Sequence, residues 1–129
     1  MLRRIKSLLK DNAIYFAIAI TVAIAVLSLA KLSTLPTISF KYKDKVAHAI
    51  AYFVLTMVWL FSFIKREQKA IIILGCIIYG ILMECLQSIL TNYRMFDYYD
   101  MIANTFGVLL ALLIFSIIEK KLINMLNSL

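Results

Sequence analysis

Residues 70–90 read AIIILGCIIYGILMECLQSIL, an apolar run whose one formal charge is Glu84. Roughly 20 residues of α-helix cross the hydrocarbon core of a bilayer. A spanning backbone must also satisfy its own hydrogen bonds, which a helix does within one segment. The run therefore predicts a transmembrane helix. A carboxylate at that depth is costly, so such residues mark a pathway, a site or a packing anchor. Glu84 lies six residues before Leu90, roughly 9 Å along the axis, and should point into a bundle rather than at lipid.

Three further runs of similar length flank it: Ala13 to Ala30, Val46 to Ile64 and Met101 to Ile118. The second holds His48 and the fourth holds Asn104. Across the 129 residues, 64% are hydrophobic and only 16% charged, and mean hydropathy is +0.92. A soluble domain is nearer half apolar and a quarter charged, so this chain has too little polar surface to cover itself in water. The expectation is an all-α membrane protein, a four-transmembrane-helix bundle with short loops forming a single domain over residues 1–129. Strict apolar–polar alternation is absent, which argues against a membrane barrel.

The net charge is +7, but the bases flank the apolar runs instead of forming a soluble basic stripe. They fit topology and anionic lipid, not nucleic acid. Nine bases (Arg3, Arg4, Lys6, Lys10, Lys65, Arg66, Lys69, Lys120, Lys121) fall on one side of the predicted spans. Five (Lys31, Lys41, Lys43, Lys45, Arg94) fall on the other. The positive-inside rule then puts both termini in the cytoplasm. The bases before Ala13 and the small residues around Ser28 also resemble a signal peptide. The apolar run exceeds a signal core and three spans follow, so a retained anchor is expected. Leu2, Ile5, Leu8 and Leu9 share a face before it, as in a short interfacial helix. Cys76 and Cys85 lie roughly 13 Å apart on one helix, too far for a disulfide within it.

The polar residues keep helical spacing. Asp44, His48 and Tyr52 step by four; Gly80, Glu84 and Gln87 by four and three; Asp97, Asp100, Asn104 and Gly107 by three, four and three, with Arg94 just before. Each set shares one helix face. Taken singly they read as a helix cap with an interfacial histidine, a helix-pinning hydrogen bond, and ordinary loop polarity. In four-span topology, however, the start of span two, the end of span three and the start of span four meet at one membrane face, whichever way the chain inserts. The three stripes are thus expected to converge in a polar pocket formed by Asp44, His48, Tyr52, Glu84, Gln87, Arg94, Asp97, Asp100 and Asn104.

In this order and spacing the residues resemble the VanZ-like family of small bacterial membrane proteins. The resemblance rests on Asp44-Lys45-x-x-His48-x-x-x-Tyr52, Gly80-x-x-x-Glu84-x-x-Gln87 and Arg94-x-x-Asp97-x-x-Asp100-x-x-x-Asn104-x-x-Gly107. It covers about half the chain. The family's usual proline or glycine before the arginine is replaced here by Thr91, Asn92 and Tyr93. The resemblance implies a multi-pass protein of the bacterial cytoplasmic (inner) membrane and cell envelope, whose namesake is linked to resistance to the lipoglycopeptide teicoplanin.

Three functions compete. In the first, the pocket binds an envelope ligand such as an anionic lipid or a glycopeptide-related molecule. Arg94 would attract its phosphate or carboxylate, and Asp97 and Asp100 would orient His48 or take a divalent cation through oxygen. In the second, the polar groups hold the helices together in an accessory protein that binds a membrane-protein partner. In the third, Glu84 belongs to an ion or proton path, although the inner halves of the spans carry almost no ionisable group. No serine or cysteine has a nucleophile's local signature, so the sequence leans away from an enzyme. No cofactor is expected, and no linear spacing matches a dedicated metal motif.

Overall fold

The computed structural model describes residues 2–29, 43–63, 68–90 and 98–128, with side chains described within 12–29, 45–63, 68–90 and 98–128 except at position 126. Those residues are helical with no strand: α1 Leu2–Leu29, α2 Lys43–Ser62, α3 Lys69–Leu90 and α4 Tyr98–Ser128. Each contains a stretch long and apolar enough to cross a membrane. Two bounds differ from expectation. The segment from Leu2 to Lys10 continues into α1 as one helix, and α4 runs past Ile118 to Ser128. Neither stretch contains a glycine or proline to break it.

Long-range pairs fix the arrangement. Lys45 meets Asp100 near the starts of α2 and α4, so these helices run parallel. Gln87 meets Ser28 near the ends of α3 and α1, so these also run parallel to each other. Lys69 at the start of α3 meets Glu119 late in α4, Nζ to Oε2 at 2.6 Å. Adjacent helices in the chain are therefore antiparallel. The starts of α2 and α4 share one end of the bundle with the ends of α1 and α3.

α2 and α4 pack most extensively. The buried stripe of α4 is Asp100, Asn104, Gly107, Val108, Ala111 and Phe115, a seam with steps near three and four. Gly107 sits directly on the α2 backbone. A Cβ there would run into the carbonyl oxygen of Ala49 and come within 3.0 Å of the Phe53 nitrogen. Small residues permit such close approach where lipid supplies no hydrophobic drive between helices. The outer surface is apolar: Phe16, Val22, Ile71, Ile89, Phe106 and Ile117, among others, are exposed. Glu84, Gln87, Asn104 and Thr56 are buried. This inversion of the soluble pattern suits helices surrounded by lipid.

α1 is the most weakly embedded helix, with Ala13, Ala17 and Ile24 buried. Thr21 ties it to its neighbours. The Thr21 hydroxyl donates to the Ala17 carbonyl at 2.7 Å and accepts from Trp59 Nε1 at 3.0 Å. The Thr21 carbonyl accepts from the Tyr79 hydroxyl at 2.6 Å. One residue in an otherwise apolar run thus links α1 to both α2 and α3.

Two measurements check this packing. Gly107→Ala should lower the melting temperature of the detergent-solubilised chain, because overpacking against backbone costs about 1–3 kcal/mol. Gly75→Ala, where a Cβ meets nothing within 4 Å, should leave it unchanged or raised. Thr21→Val should cost about 1 kcal/mol and shift the fluorescence of Trp59, the single tryptophan, as its indole N–H loses its acceptor. An unshifted spectrum in Thr21→Val would contradict that bond.

Candidate functional site

Glu84 enters the interior from α3 one turn above Gly80, and the absence of a side chain at Gly80 brings α2 and α4 close. A Cβ on Gly80 would lie 3.2 Å from Tyr52 Cε1 and 3.3 Å from both Cβ and Nδ2 of Asn104. Tyr52 and Asn104 therefore meet α3 here, and each is at most 3% exposed. One turn further toward the end of the bundle, the same two helices present His48 and Asp100.

His48 Nε2 lies 3.6 Å from Glu84 Oε1 and 3.9 Å from Asp100 Oδ2. The other oxygen of Asp100 accepts a 2.8 Å charge-assisted hydrogen bond from Lys45 Nζ. Burial grades outward. The Glu84 side chain is 2% exposed, Asp100 12%, His48 16% and Lys45 32%. Three helices thus contribute to a ladder of ionisable groups that runs from the interior to the bundle end. The imidazole faces two carboxylates, and an ammonium closes the outer side. A carboxylate that has left water needs such neighbours, since an isolated buried charge is very costly.

Gln87 has a different task. Its Nε2 donates to the Ser28 carbonyl at 2.8 Å. That carbonyl belongs to the last turn of α1, a position at which a helix leaves its carbonyls without an intrahelical partner. Gln87 also lines a groove of about 290 Å³ between α1 and α2, with Ile24, Leu27, Ala51, His48 and Tyr52. The groove is apolar along its length and polar where His48 and Gln87 border it. A separate groove of about 350 Å³, lined by Leu55, Trp59, Phe63 and Gly75 among others, holds neither a carboxylate nor a base.

Of the expected pocket residues, His48, Tyr52, Glu84, Asp100 and Asn104 lie together, and Gln87 lies beside them facing α1. The side chain of Asp44 and all of Arg94 and Asp97 lie outside the described residues. Lys45 was not among the expected pocket residues, although it stands three positions before His48 and so shares its face. Thr21 had no sequence signal, because one hydroxyl in an apolar run shows no periodicity.

The VanZ/LLP1 family profile matches residues 19–119, which include α2 and α3 whole, most of α4 and the C-terminal part of α1. A protein from Schizosaccharomyces pombe, described as uncharacterized, is 37% identical over 107 residues. The matched stretch takes in 81% of this chain and 65% of that relative, so the chain spans just under two thirds of the curated relative's length. No solved structure matches the chain. With the matched region covering the cluster and the helices that carry it, the chain belongs to the VanZ/LLP1 family.

Proposed function

We propose that the chain is a multi-pass protein of the bacterial cytoplasmic membrane that binds the headgroup of an anionic envelope lipid at the His48–Glu84–Asp100 end of the bundle. Its four helices cross the bilayer as a single domain with both termini in the cytoplasm, which places the cluster in the outer leaflet. The observation that carries this reading is the juxtaposition of a polar ladder with the α1–α2 groove. His48 and Gln87 border the groove's polar part, while Ile24, Leu27 and Ala51 line it beyond. An amphiphile fits such a cleft with its headgroup at the polar residues and an acyl chain along the apolar ones. Lys45 and Arg94, both assigned to that side by the sequence, supply positive charge for a phosphate. A glycopeptide-related molecule is the alternative ligand, in line with the family's namesake.

A second reading has its own support. Lys45–Asp100 and Gln87–Ser28 both join helices, so the polar groups also serve as glue. In an accessory protein that would be their whole role, with the apolar outer surface left for a membrane-protein partner.

Native mass spectrometry of the purified chain with phosphatidylglycerol and phosphatidylcholine separates the two. Selective retention of the anionic lipid, weakened about tenfold in Lys45→Met and His48→Ala with melting temperature retained, is the expected result. Loss of folding in both His48→Ala and Glu84→Gln, with no lipid selectivity in the wild type, would establish the cluster as structural. For orientation, a C-terminal green fluorescent protein fusion should fluoresce and a C-terminal alkaline phosphatase fusion should be inactive; the reverse pair would invert the topology.

A further inference from the structure

We infer that His48, Glu84 and Asp100 form a binding site for one divalent transition cation of the zinc or manganese type. One ligand atom from each residue lies within 4.8 Å of the other two. The measured separations from His48 Nε2 are 3.6 Å to Glu84 Oε1 and 3.9 Å to Asp100 Oδ2. Around a zinc ion with bonds of about 2.1 Å, neighbouring ligand atoms sit about 3.0–3.4 Å apart. Closing the two gaps to His48 takes side-chain shifts of a few tenths of an ångström to about one ångström. One imidazole with two carboxylates is a borderline donor set. It suits zinc or manganese better than magnesium or calcium, which take mainly oxygen ligands in larger number.

A second observation points to a ligand at the same place. Tyr52 Oη and Asn104 Oδ1 are buried and have no hydrogen-bond partner among the described residues. They lie one turn inward of His48 and Asp100, where Tyr52 and Asn104 meet at Gly80. Buried polar atoms of this kind are rarely left unsatisfied. A three-ligand metal keeps open positions filled by water, and metal-bound water gives both atoms a partner. The lysine leaves the ligating oxygen of Asp100 available. Lys45 takes Asp100 Oδ1, while Oδ2 is the oxygen turned to His48. Two carboxylates and one ammonium leave the cluster negative by one charge when His48 is neutral. Binding a dication makes it positive by one, which draws a phosphate to the site.

The inference rests on the same cluster as the lipid reading, but the two fail separately. The chelator-treated chain in detergent is titrated with Zn²⁺ alone, then Mn²⁺, with Mg²⁺ as comparator, by calorimetry and by melting temperature. The expected result is one Zn²⁺ or Mn²⁺ per chain with a raised melting temperature, and weak or no response to Mg²⁺. Glu84→Gln and Asp100→Asn, both near-isosteric, should weaken binding by at least about tenfold, as should His48→Ala. Lys45→Met should tighten it, since a repelling cation is removed, while weakening retention of anionic lipid. No saturable binding to the wild type, or binding that persists equally in the three ligand variants, overturns the metal site. The wild-type thermal shift decides the matter even if a variant misfolds. Selective retention of phosphatidylglycerol alongside no saturable metal binding in the titration would sink the metal and leave the lipid reading standing. Metal bound with no lipid selectivity would do the opposite.

Discussion

A carboxylate enclosed by apolar helices can be met only by groups that the bundle itself supplies, and Glu84 imposes that constraint on everything around it. With Glu84 2% exposed, α2 and α4 must come close enough to α3 for His48 and Asp100 to reach it. Gly80 removes the side chain that would hold Tyr52 and Asn104 away. Gly107 removes the one that would hold α4 off the backbone of α2. These two glycines matter for what they omit. Both are helical with ordinary backbone angles, so closeness of approach, not conformational freedom, is what they provide. The cluster and the tightest helix contact are in this sense one feature, since a looser α2–α4 seam would separate His48 from Asp100.

The sequence made the helices legible because length and apolarity act locally. A run of about 20 apolar residues has few alternatives once its backbone must be satisfied without water. The faces were legible too, since steps of three and four residues place His48 beside Tyr52 and Asp100 beside Asn104 with no tertiary information. Which faces would touch depended on topology alone, and antiparallel succession in a four-helix chain leaves little choice of which ends meet. The partners of Lys45 and Thr21 were not legible. A lysine near a helix start reads equally well as an interfacial anchor, and its bond to Asp100 depends on the α2–α4 spacing set by Gly107. Thr21 shows no pattern along its own helix, and its role exists only through Trp59 and Tyr79 on other helices. The His48–Glu84–Asp100 grouping was legible through topology, which brings the three stripes to one end, and not through any single motif. Its three members come from three helices, so they have no short linear spacing to recognise.

Polarity is distributed unevenly along the bundle axis, and that limits what the protein can do. At one end lie Lys45, His48, Glu84, Gln87 and Asp100; at the other, Lys69 is bonded to Glu119. Between them the buried residues are largely apolar, among them Leu55, Val108, Ala111 and Phe115. The polar atoms in the middle, such as Thr56 and Thr21, donate to carbonyls of their own helices. A proton or ion path needs groups spaced at hydrogen-bonding intervals through the whole thickness, and the described interior offers no such series. The arrangement favours an event confined to one face.

At that face, the ionisable groups sit at graded depth. Glu84 is too deep to exchange freely with water, and Asp100 is already committed on one oxygen to Lys45. His48 is more exposed than either carboxylate and lies within 4 Å of both. It also borders the α1–α2 groove, so anything lodged there is in contact with the one residue that reports on both acids. α1 forms the other wall of that groove through Ile24 and Leu27, and it is tied to α2 and α3 by Thr21 and the Ser28 carbonyl. The α2–α4 seam thus fixes the spacing of His48 and Asp100, and α1 closes the groove beside them from the other side.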